Sequence, residues 1–249
     1  MRTAGNKAAV LSRLRHTWRG LEQQVLPGGC VFCGLGLAIG SRPVCDPCHA
    51  ELPWAGAACR RCGAELPAQP PRDAVCGRCQ VEPPAFDALL APLRYEFPVD
   101  AAIKALKFER RLHYLPAFAA LVGEAARELP EDIDAMLPVP LHWRRQMLRG
   151  FNQATELCRQ LEPLLHVPVL QRVMRIRNTR YQPGLGAGER RSNLRGAFRL
   201  RGNIASNHVL IVDDVVTTGA TAEQLTVTLR AGGVRRVSVL AIARAFRPG

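Results

Sequence analysis

Residues 208–222 read HVLIVDDVVTTGATA, and the order of chemistry along that stretch governs what the remaining chain can be. Val209, Leu210, Ile211 and Val212 form an unbroken apolar, largely β-branched run, as in a strand buried on both faces of a parallel sheet. Asp213 and Asp214 follow, then a loop from Val215 to Gly219, then a helix starting at Thr221 with apolar spacing Ala222, Leu225, Leu229. Open α/β sheets bind ligands at the carboxyl ends of their strands. A Thr- and Gly-containing turn into a helix presents backbone N–H groups, hydroxyls and a positive dipole end, all suited to a phosphate. Two adjacent carboxylates would repel that phosphate. They suit two neighbouring sugar hydroxyls, or Mg²⁺ shared with a pyrophosphate. A ligand bearing a ribose diol, a 5-phosphate and a metal-bound pyrophosphate meets all of these demands.

The segment VLIVDDVVTTGAT resembles the phosphoribosyl-pyrophosphate (PRPP) signature of type I phosphoribosyltransferases. The resemblance implies that Asp213 and Asp214 hold the ribose hydroxyls and act as the catalytic pair. It implies too that Thr217, Thr218, Gly219, Ala220 and Thr221 wrap the 5-phosphate, with Val215 also lining the ligand. A receiver-like doubly wound domain also has an acidic pair after a strand; the joint occurrence of acids and threonine turn favours PRPP. Members of the class that use 6-oxopurines carry an acid where Thr217 stands, which argues against that substrate group here.

The chain has 249 residues, room for one α/β domain plus a small module. Its 34 Lys and Arg against 21 acids give a net charge of +13. Such a field draws phosphates, nucleic acid or an anionic membrane face without choosing among them. The N-terminus carries Arg2, Lys7, Arg13 and Arg15 with no apolar signal-peptide core behind them, and no apolar run approaches the length of a membrane span. The expectation is a cytoplasmic protein. Residues 1–26 read as a basic lead-in in which Val10, Leu11, Leu14, Trp18 and Leu21 suit one amphipathic helix.

Eight of the nine cysteines form four C-x-x-C pairs: Cys30/Cys33, Cys45/Cys48, Cys59/Cys62 and Cys76/Cys79. Each pair bends so that two thiolates take two corners of a tetrahedron, and two pairs complete a zinc site. The simplest arrangement is Cys30/33/45/48 with Cys59/62/76/79; an interleaved one, joining first to third and second to fourth, satisfies the spacing equally. Disulfides are the weaker reading without a secretion signal. Four thiolates leave no open coordination position, so the zinc is structural and supplies the stability that this apolar-poor segment lacks.

After a proline-rich stretch, residues 88–97 (ALLAPLRYEF) read as strand and turn. An amphipathic helix over 101–112 carries Lys104, Lys107, Arg110 and Arg111, and a second helix spans 116–129. The parallel sheet is expected to begin at Met136. Beyond it, Arg144, Arg145 and Arg149 stand beside the carboxyl end of that first strand, and Asn152 is placed to cap a helix through Leu157 and Leu161. Guanidinium forks match phosphate oxygens bidentately. Residues 141–201 hold 13 arginines, no lysine and three glutamates, +10 of the total charge, so most of the excess flanks the acid pair.

PVPLHWRRQMLRGFNQA, RIRNTRYQPGLGAGERRSNLRGAF, the 208–222 stretch and a four-pair cysteine ribbon together resemble the ComF family, over nearly the whole chain. The resemblance implies a type I phosphoribosyltransferase fold, a parallel sheet flanked by helices in the α/β class, with an N-terminal zinc ribbon module of the four-cysteine type. The implied domains are the lead-in 1–26, a double zinc ribbon 27–84 and a phosphoribosyltransferase domain 85–249, divided into a small cap 85–130 and a core 131–249. It also implies that Arg144, Arg145 and Arg149 grip pyrophosphate, and that Arg177, Gln182 and Arg190 belong to a loop closing over the ligand. Mg²⁺ would enter with PRPP. The implied activity is displacement of pyrophosphate from PRPP by an unidentified acceptor, in the setting of DNA uptake in natural competence. Single-stranded DNA and a competence helicase are the implied partners. The rival reading is a non-catalytic single-stranded DNA-binding factor regulated by PRPP or a nucleotide, and a gluconate-related metabolic role stands beside both. Against DNA, aromatic residues are only 6% of the chain, which offers few stacking platforms.

Overall fold

The computed structural model describes residues 28–67, 70–71, 74–177 and 194–246, so the lead-in 1–26, Gln182 and Arg190 lie outside the described residues. The chain divides into two compact units, Met1–Glu51 and Leu52–Gly249.

In the first unit, a tight turn returns the chain on itself: Cys30 N–H donates to Leu35 O at 2.8 Å and Gly34 N–H to Cys30 O at 2.8 Å. A short helix, α1 (Asp46–Ala50), starts directly after Cys45. The second unit repeats this plan at its own start. Cys59 N–H donates to Ala64 O at 2.7 Å, Gly63 N–H donates to Cys59 O at 2.8 Å, and α2 (Gly77–Val81) starts directly after Cys76.

The rest of the second unit is a parallel sheet. The strands β1 (Ala88–Leu90), β2 (Leu93–Arg94), β3 (Ala135–Pro138), β6 (His208–Val216) and β7 (Arg236–Arg244) run in the order β1/β2–β7–β6–β3. Against β7, Ala88 lies opposite Ser238 and Leu93 opposite Ala243, one constant register, so β1 and β2 are halves of a single edge strand interrupted at Pro92. The sheet therefore begins well before Met136, where the sequence places its start. The strand read at 88–97 is present, but it pairs with β7 in the parallel sheet, where the sequence reading assigns residues 85–130 to a small cap. Residues 53–55 cover this edge, Arg94 N–H donating to Pro53 O at 2.7 Å and Ala55 N–H to Pro92 O at 2.8 Å. At the other edge Met136 exchanges hydrogen bonds with Pro168 and Leu170.

Helices α3 (Val99–Phe108), α4 (Tyr114–Ala125), α5 (Trp143–Arg149), α6 (Gln153–Leu165) and α7 (Ala220–Ala231) complete the fold, with the antiparallel pair β4 (Val173–Arg175) and β5 (Phe198–Leu200). Helix α6 packs on β3, β6 and α4, while α7 packs on β5 and β7. Between them Val209, Leu210, Ile211 and Val212 of β6 are fully buried, as an apolar strand covered on both faces must be. Cys158 of α6 is also fully buried, and burial pushes its thiol far above the ordinary range, the behaviour of a small hydrophobe. No described helix is long and apolar enough to cross a membrane.

The topology itself names a crevice. From β3 the chain moves outward, through α6, to the 169 edge; from β6 it moves the opposite way, through α7, to β7. The connections diverge between β3 and β6, the switch point at which open α/β sheets hold ligands.

Candidate functional site

Two segments leave the sheet at that switch point. Beyond β3, His142 caps α5: its Nδ1 accepts from Arg144 N–H at 3.3 Å. Burial, then the charges of Arg144, Arg175 and Arg145, keep His142 below the ordinary histidine value, so the ring stays neutral and free to accept. Asn152 caps α6, its Oδ1 accepting from Ala154 N–H at 3.0 Å while its Nδ2 donates to Val139 O at 3.0 Å. That second bond pins the start of α6 to the end of β3.

Beyond β6, Asp213 and Asp214 end the apolar run. Asp213 Oδ1 accepts from Asp214 N–H at 2.9 Å, and Asp214 Oδ1 from Val215 N–H at 2.7 Å. The strand then turns at Gly219, whose φ of +81° is a left-handed conformation that any side chain would strain. Gly219 is the N-cap of α7, and Phe86 packs beneath it, its ring 3.6 Å from where a Cβ would stand. Thr218 Oγ1 accepts from Ala220 N–H at 3.4 Å. Thr217 is exposed, Val215, Thr218 and Thr221 are half-buried, and Gly219 and Ala220 are buried. A twelve-residue helix thus points its N-terminus out of a threonine turn, directly after an acid pair.

Loss of solvation, then the Asp214 charge, pushes the Asp213 carboxyl up to about 8, with Lys107 pulling it down. Lys107 Nζ lies 2.8 Å from Asp214 Oδ2, and Gln153 Nε2 donates to the same oxygen at 3.1 Å. Among the arginines, Arg145 and Arg149 are half-buried and Arg144 is exposed. Burial lowers Arg149, while the Asp214 charge raises it. Arg177 donates to Arg195 O at 2.8 Å across the base of the β4–β5 pair.

The eight C-x-x-C cysteines gather as Cys30/33/45/48 and Cys59/62/76/79, with the sulfur atoms of each group within 4.8 Å of one another. This is the simpler of the two arrangements that the spacing allows, not the interleaved one. Cys33 and Cys45 Sγ are 3.6 Å apart, and Cys62 and Cys76 Sγ 3.7 Å. Tetrahedral zinc with Zn–S bonds of about 2.3 Å separates sulfurs by roughly 3.8 Å, so both groups fit the ion. Cys76 N–H donates to Cys59 Sγ at 3.3 Å, the kind of outer hydrogen bond that orients a thiolate ligand.

A family model described as a double zinc ribbon domain matches residues 21–80, and one described as a phosphoribosyl transferase domain matches residues 146–246. DNA utilization protein YhgH of Escherichia coli O157:H7 is 36% identical over 228 residues, 88% of this chain and 98% of that protein. Competence protein F of Haemophilus influenzae is 33% identical over 231 residues, 87% of this chain and 96% of that protein. The chain belongs to the ComF family. A solved structure titled as an analysis of an invariant aspartic acid in HPRTs aligns with 18% identity at a TM-score of 0.25, over 52% of this chain and 63% of that one.

Two residues of this ComF-family chain, Gln153 and Arg175, join the site without any sequence pattern that singles them out for it. A third, Lys107, is one of two helix lysines, with Lys104, that a solvated face or a reach toward substrate from the small cap would explain. Gln153 follows a helix cap and would pass for surface, yet it is buried and bonded to Asp214. Arg175 sits where His142 bridges to β4; burial, then Arg145, lowers it to about 10, and Asp213 acts the other way. Lys107 shares one basic helix face with Lys104 in the sequence pattern. The structure separates them: Lys104 turns to Asp100 at 2.6 Å, whereas Lys107, one turn beyond the buried Ile103, turns to Asp214.

Proposed function

We propose that the chain binds PRPP with Mg²⁺ and transfers its phosphoribosyl group to an acceptor, with release of pyrophosphate. The observation carrying this reading is the acid pair at the end of β6 running straight into the Gly219-capped helix, at the sheet's switch point. Asp213 and Asp214 would take the ribose hydroxyls, and Thr217, Thr218, Gly219, Ala220 and Thr221 the 5-phosphate. In the transfer, the bond from the anomeric carbon to the pyrophosphate oxygen breaks and its electron pair leaves with pyrophosphate. The acceptor closes the new bond and releases a proton. Arg144, Arg145 and Arg149, with Arg175 behind them, would meet the leaving charge. Bound Mg²⁺ would neutralise further charge on the pyrophosphate, and the hard carboxylate oxygens of Asp213 and Asp214 suit an ion that keeps substrate phosphates and waters around it. Titration calorimetry with PRPP, with and without Mg²⁺, tests the reading. Binding that needs Mg²⁺ and disappears in Asp213→Asn/Asp214→Asn supports it; equal binding by that variant overturns it.

A second reading is favoured by one further observation. The few aromatic side chains are not all interior: Trp143 is 55% and Phe108 71% exposed. Each carries a guanidinium over its ring, Arg144 at 5.3 Å and Arg149 at 5.3 Å. Exposed rings interleaved with arginines suit single-stranded nucleic acid, through stacking and phosphate contacts. The names of the relatives, DNA utilization protein and Competence protein F, point the same way. A competence helicase as partner and a cytoplasmic setting, where thiolates stay reduced for zinc, complete this reading. Affinity for single-stranded DNA falling steeply with salt, and falling again in Trp143→Ala, would support it; salt-insensitive affinity would sink it.

A further inference from the structure

One side chain joins the second cysteine cluster to the phosphate loop. Arg244 ends β7, and its Nη1 donates to Val216 O at 3.1 Å and to Thr217 O. The next residue reinforces the attachment, Ala245 N–H donating to Val216 O at 2.9 Å. A loop that aims its N–H groups at a phosphate must turn its carbonyls elsewhere, and those carbonyls need partners. Arg244 is a partner for the carbonyls where β6 passes into the turn, those of Val216, the last residue of the strand, and Thr217, the first residue after it.

On its other side Arg244 meets the metal knuckle. Gly63, the residue after Cys62, has φ of +68°, and a Cβ there would stand 2.6 Å from Leu89 Cδ2 and 3.8 Å from Arg244 Cδ. Arg60, between Cys59 and Cys62, accepts at its carbonyl from Leu89 N–H at 3.0 Å. The knuckle is thus bonded to β1, and Gly63 faces the Arg244 stem with no room for a side chain between it and Leu89. The guanidinium Nε is buried with no hydrogen-bond partner among the described residues; the group is held by its two carbonyl bonds and lies over the Phe246 ring, 5.9 Å from its centroid.

We infer that Arg244 is a positioning residue through which the Cys59/62/76/79 centre holds Val216 and Thr217 in the shape that receives the 5-phosphate. The consequence for ligand rests on the phosphoribosyl reading above; the consequence for the loop does not. The Cys30/33/45/48 centre lies in the other unit and serves as the control.

The test uses the full chain and the variants Arg244→Ala, Arg244→Lys, Cys62→Ser and Cys33→Ser. Zinc content, hydrogen exchange of peptides over residues 214–220 and 237–243, and PRPP–Mg²⁺ calorimetry are measured together. Hydrogen bonds to a charged group are worth enough that Arg244→Ala should speed exchange in 214–220 about tenfold and weaken PRPP about tenfold, with zinc retained and 237–243 protected. Arg244→Lys, which keeps charge but loses the fork, should fall between. Cys62→Ser should lose one zinc and reproduce the Arg244→Ala loop exchange; Cys33→Ser should lose the other zinc and leave the loop alone. Unchanged 214–220 exchange in Arg244→Ala overturns the inference even if PRPP binds well. A wild-type protein that shows the exchange coupling but takes no PRPP overturns the phosphoribosyl reading and leaves the coupling standing.

Discussion

Lys107 Nζ lies 2.8 Å from Asp214 Oδ2, an ion pair with side chains only 19% and 8% exposed, and it ties α3 to the acid pair at the end of β6. Removing one member of such a pair leaves the other charge stranded in a poorly solvated place. Lys107→Ala should therefore cost about 3 kcal/mol of stability, at the lower end for a buried pair because Lys107 keeps some water. Asp214→Asn should cost less, since Gln153 can still bond the amide. Urea unfolding of both singles and the double variant checks this: a coupling energy of about 1–3 kcal/mol is expected, and additivity would dissolve the pair as an energetic unit.

Asp213 carries a pH signature. Its folded value of about 8, set by burial and then by Asp214, lies above the ordinary carboxylate value of 3.8. A group that holds its proton more tightly when folded stabilises the fold fully only below its unfolded value, and that contribution fades as pH rises through the interval. Asp213→Asn keeps an acceptor for Asp214 N–H and has nothing to titrate. Its unfolding midpoint should therefore gain on wild type from about pH 4 to about pH 8 and then run parallel. A difference that stays flat across that interval would remove the claim.

The contrast between Asp213 and Lys107 shows what a sequence can carry. The acid pair is legible because strand, carboxylates, threonine turn and helix are contiguous, and contiguity is what local pattern reports. The four C-x-x-C pairs are legible for the same reason, though not their partners, since a tetrahedron can be completed by any two pairs. Lys107 and Gln153 reach Asp214 from far along the chain, Gln153 from 61 residues away and Lys107 from farther still. No local period encodes that meeting; it is set by how α3 and α6 pack. The edge strand at 88–94 is legible as a strand, but its place in the sheet is not, because it pairs Ala88 with Ser238, far along the chain.

Asn152 should matter beyond its surface-like identity. It caps α6 and also donates to Val139 O, with 8% exposure. Asn152→Ala loses a cap worth about 1 kcal/mol and leaves a buried carbonyl without its donor, a further 1–3 kcal/mol or so. Thermal unfolding should show the sum, and Asn152→Ser, which keeps an acceptor for Ala154 N–H, should recover roughly the cap's share. Because α6 begins by delivering Gln153 to Asp214, the PRPP binding proposed above should weaken in Asn152→Ala as well. Full stability in Asn152→Ala would mean that α6 is held by packing alone.

Zinc stoichiometry separates the two possible cysteine arrangements by counting. With Cys30/33/45/48 and Cys59/62/76/79 as the closed groups, Cys33 and Cys45 serve the same ion. The double variant Cys33→Ser/Cys45→Ser should then retain one zinc of two, as each single variant does, because a site already broken cannot be lost again. In an interleaved arrangement the same two substitutions would strike different ions and leave none. Cys33→Ser/Cys62→Ser gives the opposite pattern, no zinc in the observed arrangement and one in the interleaved one. Metal analysis of the purified variants decides the matter without any assay of function. Each four-thiolate group has all its sulfurs within 4.8 Å of one another and draws its four ligands from its own stretch of chain, so each surviving centre should bind independently of the other's loss.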